Sequence, residues 1–150
     1  KDLVVSFRFK LVGTPRFNVV FDDKNHKNSH AGHIARVAIS ATKISLGDDK
    51  EGAMRNDIFA LRRDPDPARK AEGNRLVAKR SAAFNQNIEQ NRWYAMTIEI
   101  AGDQMRVSLD GKAIGSLKSP GLAHPTKESV HFTVTGSDAL FDEVRIWKAK

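Results

Sequence analysis

Apolar and polar residues alternate with a period of two along most of this chain. In Asp2–Leu11, Leu3, Val5, Phe7, Phe9 and Leu11 fall on one side and Val4, Ser6, Arg8 and Lys10 on the other. A strand turns successive side chains to opposite faces, so this stretch is predicted as a strand with one buried face. Gly13-Thr14-Pro15 is a turn signal, and Arg16–Asp22 follows as the second arm of a hairpin. His33–Ser40 returns to alternation, with Val37 and Ile39 expected on one face beside His33 and Ala35, and Ile34 and Arg36 on the other. Thr42–Leu46 reads as a short strand stopped by Gly47-Asp48-Asp49.

The pattern is strongest after Arg92. Tyr94–Ala101 sets Met96, Ile98 and Ile100 against Ala95, Thr97 and Glu99. Met105, Val107 and Leu109 form the next apolar face, and Lys112–Leu117 returns from it. The join is Asp110-Gly111, a pair suited to a type I′ turn, whose two central residues need positive φ. Ser129–Thr135 alternates again, and the last pattern is Leu140–Trp147, LFDEVRIW.

Residues 50–91 break the alternation. Pro65 and Pro67 interrupt any regular element, and the spacing of Leu76, Val77, Ala83, Phe84 and Ile88 fits one face of a helix. Ala68–Asn87 is therefore expected to be helical, as an insertion between strands. About ten short strands joined by turns imply a sandwich or barrel. The expectation is one all-β domain over residues 1–150. It is a two-sheet antiparallel jelly-roll sandwich with a partly helical insertion around residues 66–88.

Composition changes this picture little. The chain has no cysteine, which removes disulfides, zinc–thiolate sites and thiol nucleophiles. No apolar run reaches the roughly 20 residues that cross a bilayer as a helix. No phosphate-binding loop, nucleophile elbow or dinucleotide fingerprint is present. The net charge is +7, and its distribution matters more than its sum. Arg62–Arg80 holds seven basic residues against three acids, a surplus of four. This segment is either a solvated insertion or a surface for an acidic partner. Nucleic acid is not the expected partner.

Trp93-Tyr94-x-Met96-Thr97-Ile98, then Met105-Arg106-Val107-Ser108-Leu109-Asp110-Gly111, and finally Phe141-Asp142-Glu143-Val144-Arg145-Ile146-Trp147 resemble the concanavalin A-like and laminin-G-like jelly rolls. Within that group the pattern is most similar to the 3-keto-disaccharide hydrolases. The resemblance covers about the first 46 and the last 58 residues, and it implies a sugar-facing concave sheet in an exported protein, extracellular or periplasmic. The matching residues are structural, so the resemblance assigns no catalytic residue.

Three constellations could carry chemistry. His26, His30 and His33 are three of the five histidines, within eight residues and just after Asp22-Asp23. Such a loop could contact a ligand, supply a general base or hold a divalent metal. Arg8, Arg36, Glu99, His131 and Thr133 alternate with core positions and are expected to face outward. If their strands adjoin, they line one polar surface suited to sugar hydroxyls. Asp48 and Asp49 are candidate oxygen ligands for a cation. Ligand-binding candidates are thus Arg8, His30, His33, Arg36, Glu99 and His131, and metal candidates are His26, His30, Asp48 and Asp49. Trp93 and Trp147 read as packing residues. The paired acids of most glycosidases are not evident, because Asp142 and Glu143 are adjacent and point to opposite faces. The functional expectation is a carbohydrate-binding or carbohydrate-processing domain, with a glycosidase-like hydrolase as its catalytic form. The alternative is a non-catalytic laminin-G-like interaction module that meets an acidic partner through its basic insertion.

Overall fold

The computed structural model describes residues 1–148. Ten strands build two antiparallel five-stranded sheets. Sheet A has the order β10-β1-β6-β7-β8, from β1 (Leu3–Val12), β6 (Trp93–Ala101), β7 (Gln104–Leu109), β8 (Lys112–Lys118) and β10 (Asp138–Lys148). Sheet B has the order β5-β4-β3-β2-β9, from β2 (Arg16–Asp22), β3 (His33–Ser40), β4 (Lys43–Asp48), β5 (Ser81–Asn85) and β9 (Ser129–Thr135). The chain crosses between the sheets four times, as a jelly roll does.

The alternating residues become the core between the sheets. Leu3, Val5, Phe7, Phe9 and Leu11 of β1 are buried, as are Phe17, Val19 and Phe21 of β2 and Val37 and Ile39 of β3. Aromatic rings lock the centre: Phe9 lies 5.0 Å from Phe17 and 5.5 Å from Tyr94. Burying side chains of this size stabilises by about 2–3 kcal/mol each, which is what holds two sheets together without disulfides. The Asp110-Gly111 turn has the expected positive φ values, 49° and 78°.

The insertion is only partly the expected helix. Asn56–Arg62 forms α1 and Pro67–Ala78 forms α2, whose N-terminus is capped by Asp66 accepting from the Ala68 amide. Helix stops at Ala78, and Ser81–Asn85 is β5, paired with β4. The reason is burial. Phe84 packs against the core and Ile88 is buried in it, whereas α2 buries only Gly73, where it meets Leu61 and Arg62 of α1. The apolar residues assigned to one helical face therefore belong to α2, to β5 and to the loop after it.

A bulge also shifts β3. Phe21 pairs with Ala35, but Asp22 pairs with His33, leaving Ile34 as the extra residue. His33 consequently shares the outer face with Arg36 instead of the inner face with Ala35.

Candidate functional site

The outer face of sheet B carries a strip of engaged polar side chains across β9, β2 and β3. Its centre is Asp22, at the end of β2. One carboxylate oxygen lies 2.6 Å from His33 Nδ1 and the other 3.0 Å from His131 Nδ1. An ionised carboxylate can only accept, so the His33 Nδ1 in this hydrogen bond carries hydrogen, while His131 Nδ1 stands within ion-pair distance of the other oxygen. Each ring therefore turns its Nε2 away from the carboxylate. The Asp22 and His33 side chains are mostly buried, and His131 is 40% exposed. The two imidazole centres are 6.3 Å apart.

One strand over, Arg36 projects from β3, and its Nε donates to Asp49 at 2.9 Å. Asp49 follows β4 and is nearly fully buried. Burial pushes its carboxyl above the ordinary value, against the opposing pull of Arg36. Only one guanidinium nitrogen serves this bond, and the Arg36 side chain is 21% exposed. Further along, Asn18 of β2 donates to the Thr133 hydroxyl of β9 at 2.9 Å and accepts from Arg16.

His30 stands at the end of the strip, 6.3 Å from His33 between ring centres. It stacks on Phe59 of α1 at 4.2 Å with the rings 10° from parallel. The Arg63 guanidinium lies 4.0 Å from the same ring. Two groups that close cannot share a face, so Phe59 is held between them and closed as a stacking platform.

Of the expected ligand contacts, His30, His33, Arg36 and His131 thus converge on one face. Arg8 and Glu99 do not join them. They lie on the outer face of sheet A, where the Arg8 guanidinium sits 5.2 Å from the centre of the Trp93 ring and Glu99 pairs with Arg106 at 3.6 Å. The single surface imagined for all these residues is two surfaces on opposite sides of the sandwich. The metal candidates are also dispersed. Asp48 is buried and accepts from the Ser119 hydroxyl, the Gly121 amide and the Glu51 amide, tying β4 to the loop before β9. His26 lies beside His124, ring centres 5.0 Å apart. Among the described residues, no group of three or more His, Asp or Glu side chains is gathered as a cation site.

A second buried network escaped sequence reasoning. Asp23 accepts from Thr126 and the Asn25 amide, and its carboxylate meets His124 Nε2 at 2.9 Å. These bonds hold its carboxyl well below the usual carboxylate range. They join the β2 end to the segment before β9, about a hundred residues later. Lys127 beside them is buried, and desolvation pushes its ammonium down to about 8 while its Nζ donates to the Lys1 and His124 carbonyls.

No protein-family model matches the chain, and no curated protein matches it in sequence. Solved structures do match its shape. The carbohydrate-binding module CBM66 from Bacillus subtilis superposes with a TM-score of 0.62 over 98% of this chain and 75% of that one, at 13% identity. Sheep galectin-11 gives 0.60 over 97% and 90%, at 12% identity. A galectin from Caenorhabditis elegans gives 0.59 over 99% and 84%, at 6% identity. The fold is a two-sheet jelly-roll sandwich of the kind these structures share. Identities this low establish architecture and leave the ligand to be argued from the site.

Proposed function

We propose that the chain binds a carbohydrate on the outer face of sheet B. The observation that carries this reading is the Asp22 clamp on His33 and His131. One carboxylate hydrogen-bonds His33 and lies 3.0 Å from His131, each ring with an Nε2 free of that carboxylate, beside a guanidinium bonded to Asp49. Planar polar groups held by their own neighbours suit sugar hydroxyls, since little side-chain freedom is lost on binding. The jelly-roll neighbours support the reading, because one is named as a carbohydrate-binding module and others as galectins. An exported location, extracellular or periplasmic, fits such a ligand.

Among the described residues the strip holds no pair of free carboxyls of the kind most glycosidases use. Asp22 and Asp49 are both engaged by cations or imidazoles, so neither stands as a free acid opposite a free base. The finer likeness to 3-keto-disaccharide hydrolases makes hydrolysis worth assaying on 3-keto-disaccharides. The experiment for binding is a glycan array followed by calorimetry on its hits. Binding should fall about tenfold or more in His131→Ala, a loss typical of a hydrogen bond to a fixed group. An array with no hit, or hits that His131→Ala and Asn18→Ala bind as well as the native protein, would overturn it.

A further inference from the structure

We propose that the glycan this chain takes is acidic, and that the α1–α2 hairpin meets its carboxylate or sulfate groups at the end of the sheet B strip, a step that rests on the carbohydrate reading and names its ligand class.

Ion pairing within the hairpin leaves it positive. Between Arg55 and Arg80 the acids are Asp57, Asp64, Asp66 and Glu72, and each is already engaged. Asp57 pairs with Arg55 at 2.7 Å, Asp64 with Arg69 at 3.1 Å and Glu72 with Arg75 at 2.6 Å. Asp66 caps α2 by accepting from the Ala68 amide. Among the described residues Arg62, Arg63, Lys70, Lys79 and Arg80 form no ion pair. Packing does not account for them, since Arg63, Lys70 and Lys79 are exposed and α2 buries only Gly73. Cations gathered on one short hairpin repel one another and draw an anion to it.

The hairpin continues the strip by direct contact. The ring centres of His131 and His33 stand 6.3 Å apart, those of His33 and His30 another 6.3 Å, and those of His30 and Phe59 4.2 Å. Arg63 ends the series, its guanidinium 4.0 Å from the Phe59 ring. The ring holds the guanidinium in place without neutralising it. With no acid of its own, this planar fork is open to an acceptor that presents two oxygens, as carboxylate and sulfate do. A glycan lying across the clamp and running on past His30 therefore arrives at Arg63. A neutral glycan gains nothing from the surplus charge beyond that point. An acidic one gains a fixed donor pair at Arg63, and the field of the hairpin steers it in.

The test is calorimetry and sensor kinetics on the full chain with two matched pairs of probes. An oligogalacturonide and its methyl ester share a backbone and differ in charge, as do an oligomeric dextran sulfate and dextran. An acidic member should bind about tenfold or more tightly than its neutral counterpart, the scale of one charge-assisted hydrogen bond. The pair that shows the difference tells carboxylate from sulfate. Affinity for the acidic member should fall as sodium chloride rises from about 0.05 M to about 0.5 M, because screening shortens the reach of exposed charges. Arg63→Ala should remove most of the preference, and Arg63→Lys, which keeps the charge without the fork, should retain part of it. Lys70→Glu together with Lys79→Glu should slow association and change dissociation little. Neutral members bound as tightly as acidic ones, or no binding by either acidic probe, overturn the inference, while array hits lost in His131→Ala would keep the carbohydrate reading standing. A preference that survives both Arg63→Ala and the double substitution overturns it as well. Loss in Arg63→Ala with none in His131→Ala upholds the hairpin and overturns the clamp. Duplex DNA that displaces the acidic probe equally well, charge for charge, would assign the hairpin to nucleic acid and overturn the glycan.

Discussion

Arg36 and Asp49 illustrate how a single pair can belong to both a site and the stability of the fold. Asp49 is buried, and removing its guanidinium leaves a carboxylate with no cation beside it. Arg36→Ala should cost about 2–3 kcal/mol at pH 7, less than a fully buried pair because Arg36 reaches solvent. Its pH dependence has a definite sign. Burial already raises the Asp49 carboxyl above its ordinary value, and losing Arg36 raises it further. An acid whose folded value exceeds its unfolded one binds more protons when folded, so its contribution improves as pH falls through that folded value. Urea denaturation should therefore show the gap between Arg36→Ala and the native protein narrowing from pH 7 to pH 5. Asp23 has the opposite sign. Thr126, then His124, hold its carboxyl below the usual range, so its stabilisation is complete above the ordinary carboxylate value near 4 and is lost as pH falls below it. Asp23→Asn should lower stability at pH 7 and flatten its decline below pH 4, measured in the same way. A variant with an unchanged acid limb would contradict this assignment.

At the scale of elements, what was legible depended on how local the cause was. β1, β6 and the β7–β8 hairpin follow from period-two burial and from one dipeptide that accepts positive φ. β5 did not. Phe84 and Ile88 owe their places to β4 and the core, and next to a true helix the spacing of Ala83, Phe84 and Ile88 resembled one more turn of it. The bulge beside Ile34 was equally hidden, since one extra residue leaves no trace in an alternating pattern yet turns His33 to the other face. Of the candidate site, the residue types stand out in the sequence, and the structure brings His30, His33, Arg36 and His131 to one face. The assembly of the site does not stand out, because Asp22 and His131 are 109 positions apart and Asp23 and His124 are 101 apart. The same non-local packing gives a test at Gly115 of β8. A Cβ there would lie 2.3–2.5 Å from ring atoms of Phe84, on the strand that sequence reasoning missed. Gly115→Ala should cost about 2 kcal/mol through overpacking. Phe84→Leu in the same chain should recover part of that loss, so a double-mutant cycle in urea should show coupling. Strict additivity would mean that β5 does not close against β8 as described.

For the whole molecule, buried polar groups far apart in sequence tie the connection between the two sheets. Asp48 at the end of β4 accepts from the Ser119 hydroxyl and the Gly121 amide, and Asp23 after β2 accepts from Thr126. All three donors lie in the connection by which the chain returns from β8 of sheet A to β9 of sheet B. β9 carries His131, so the held connection also sets where that ring stands against Asp22. Asp48→Ala leaves the Ser119 hydroxyl and the Gly121 amide buried without their acceptor, and should cost about 3 kcal/mol in urea denaturation. It should also weaken glycan binding in calorimetry, although Asp48 itself lies outside the strip. An unchanged urea midpoint would mean that the connection is not held through Asp48.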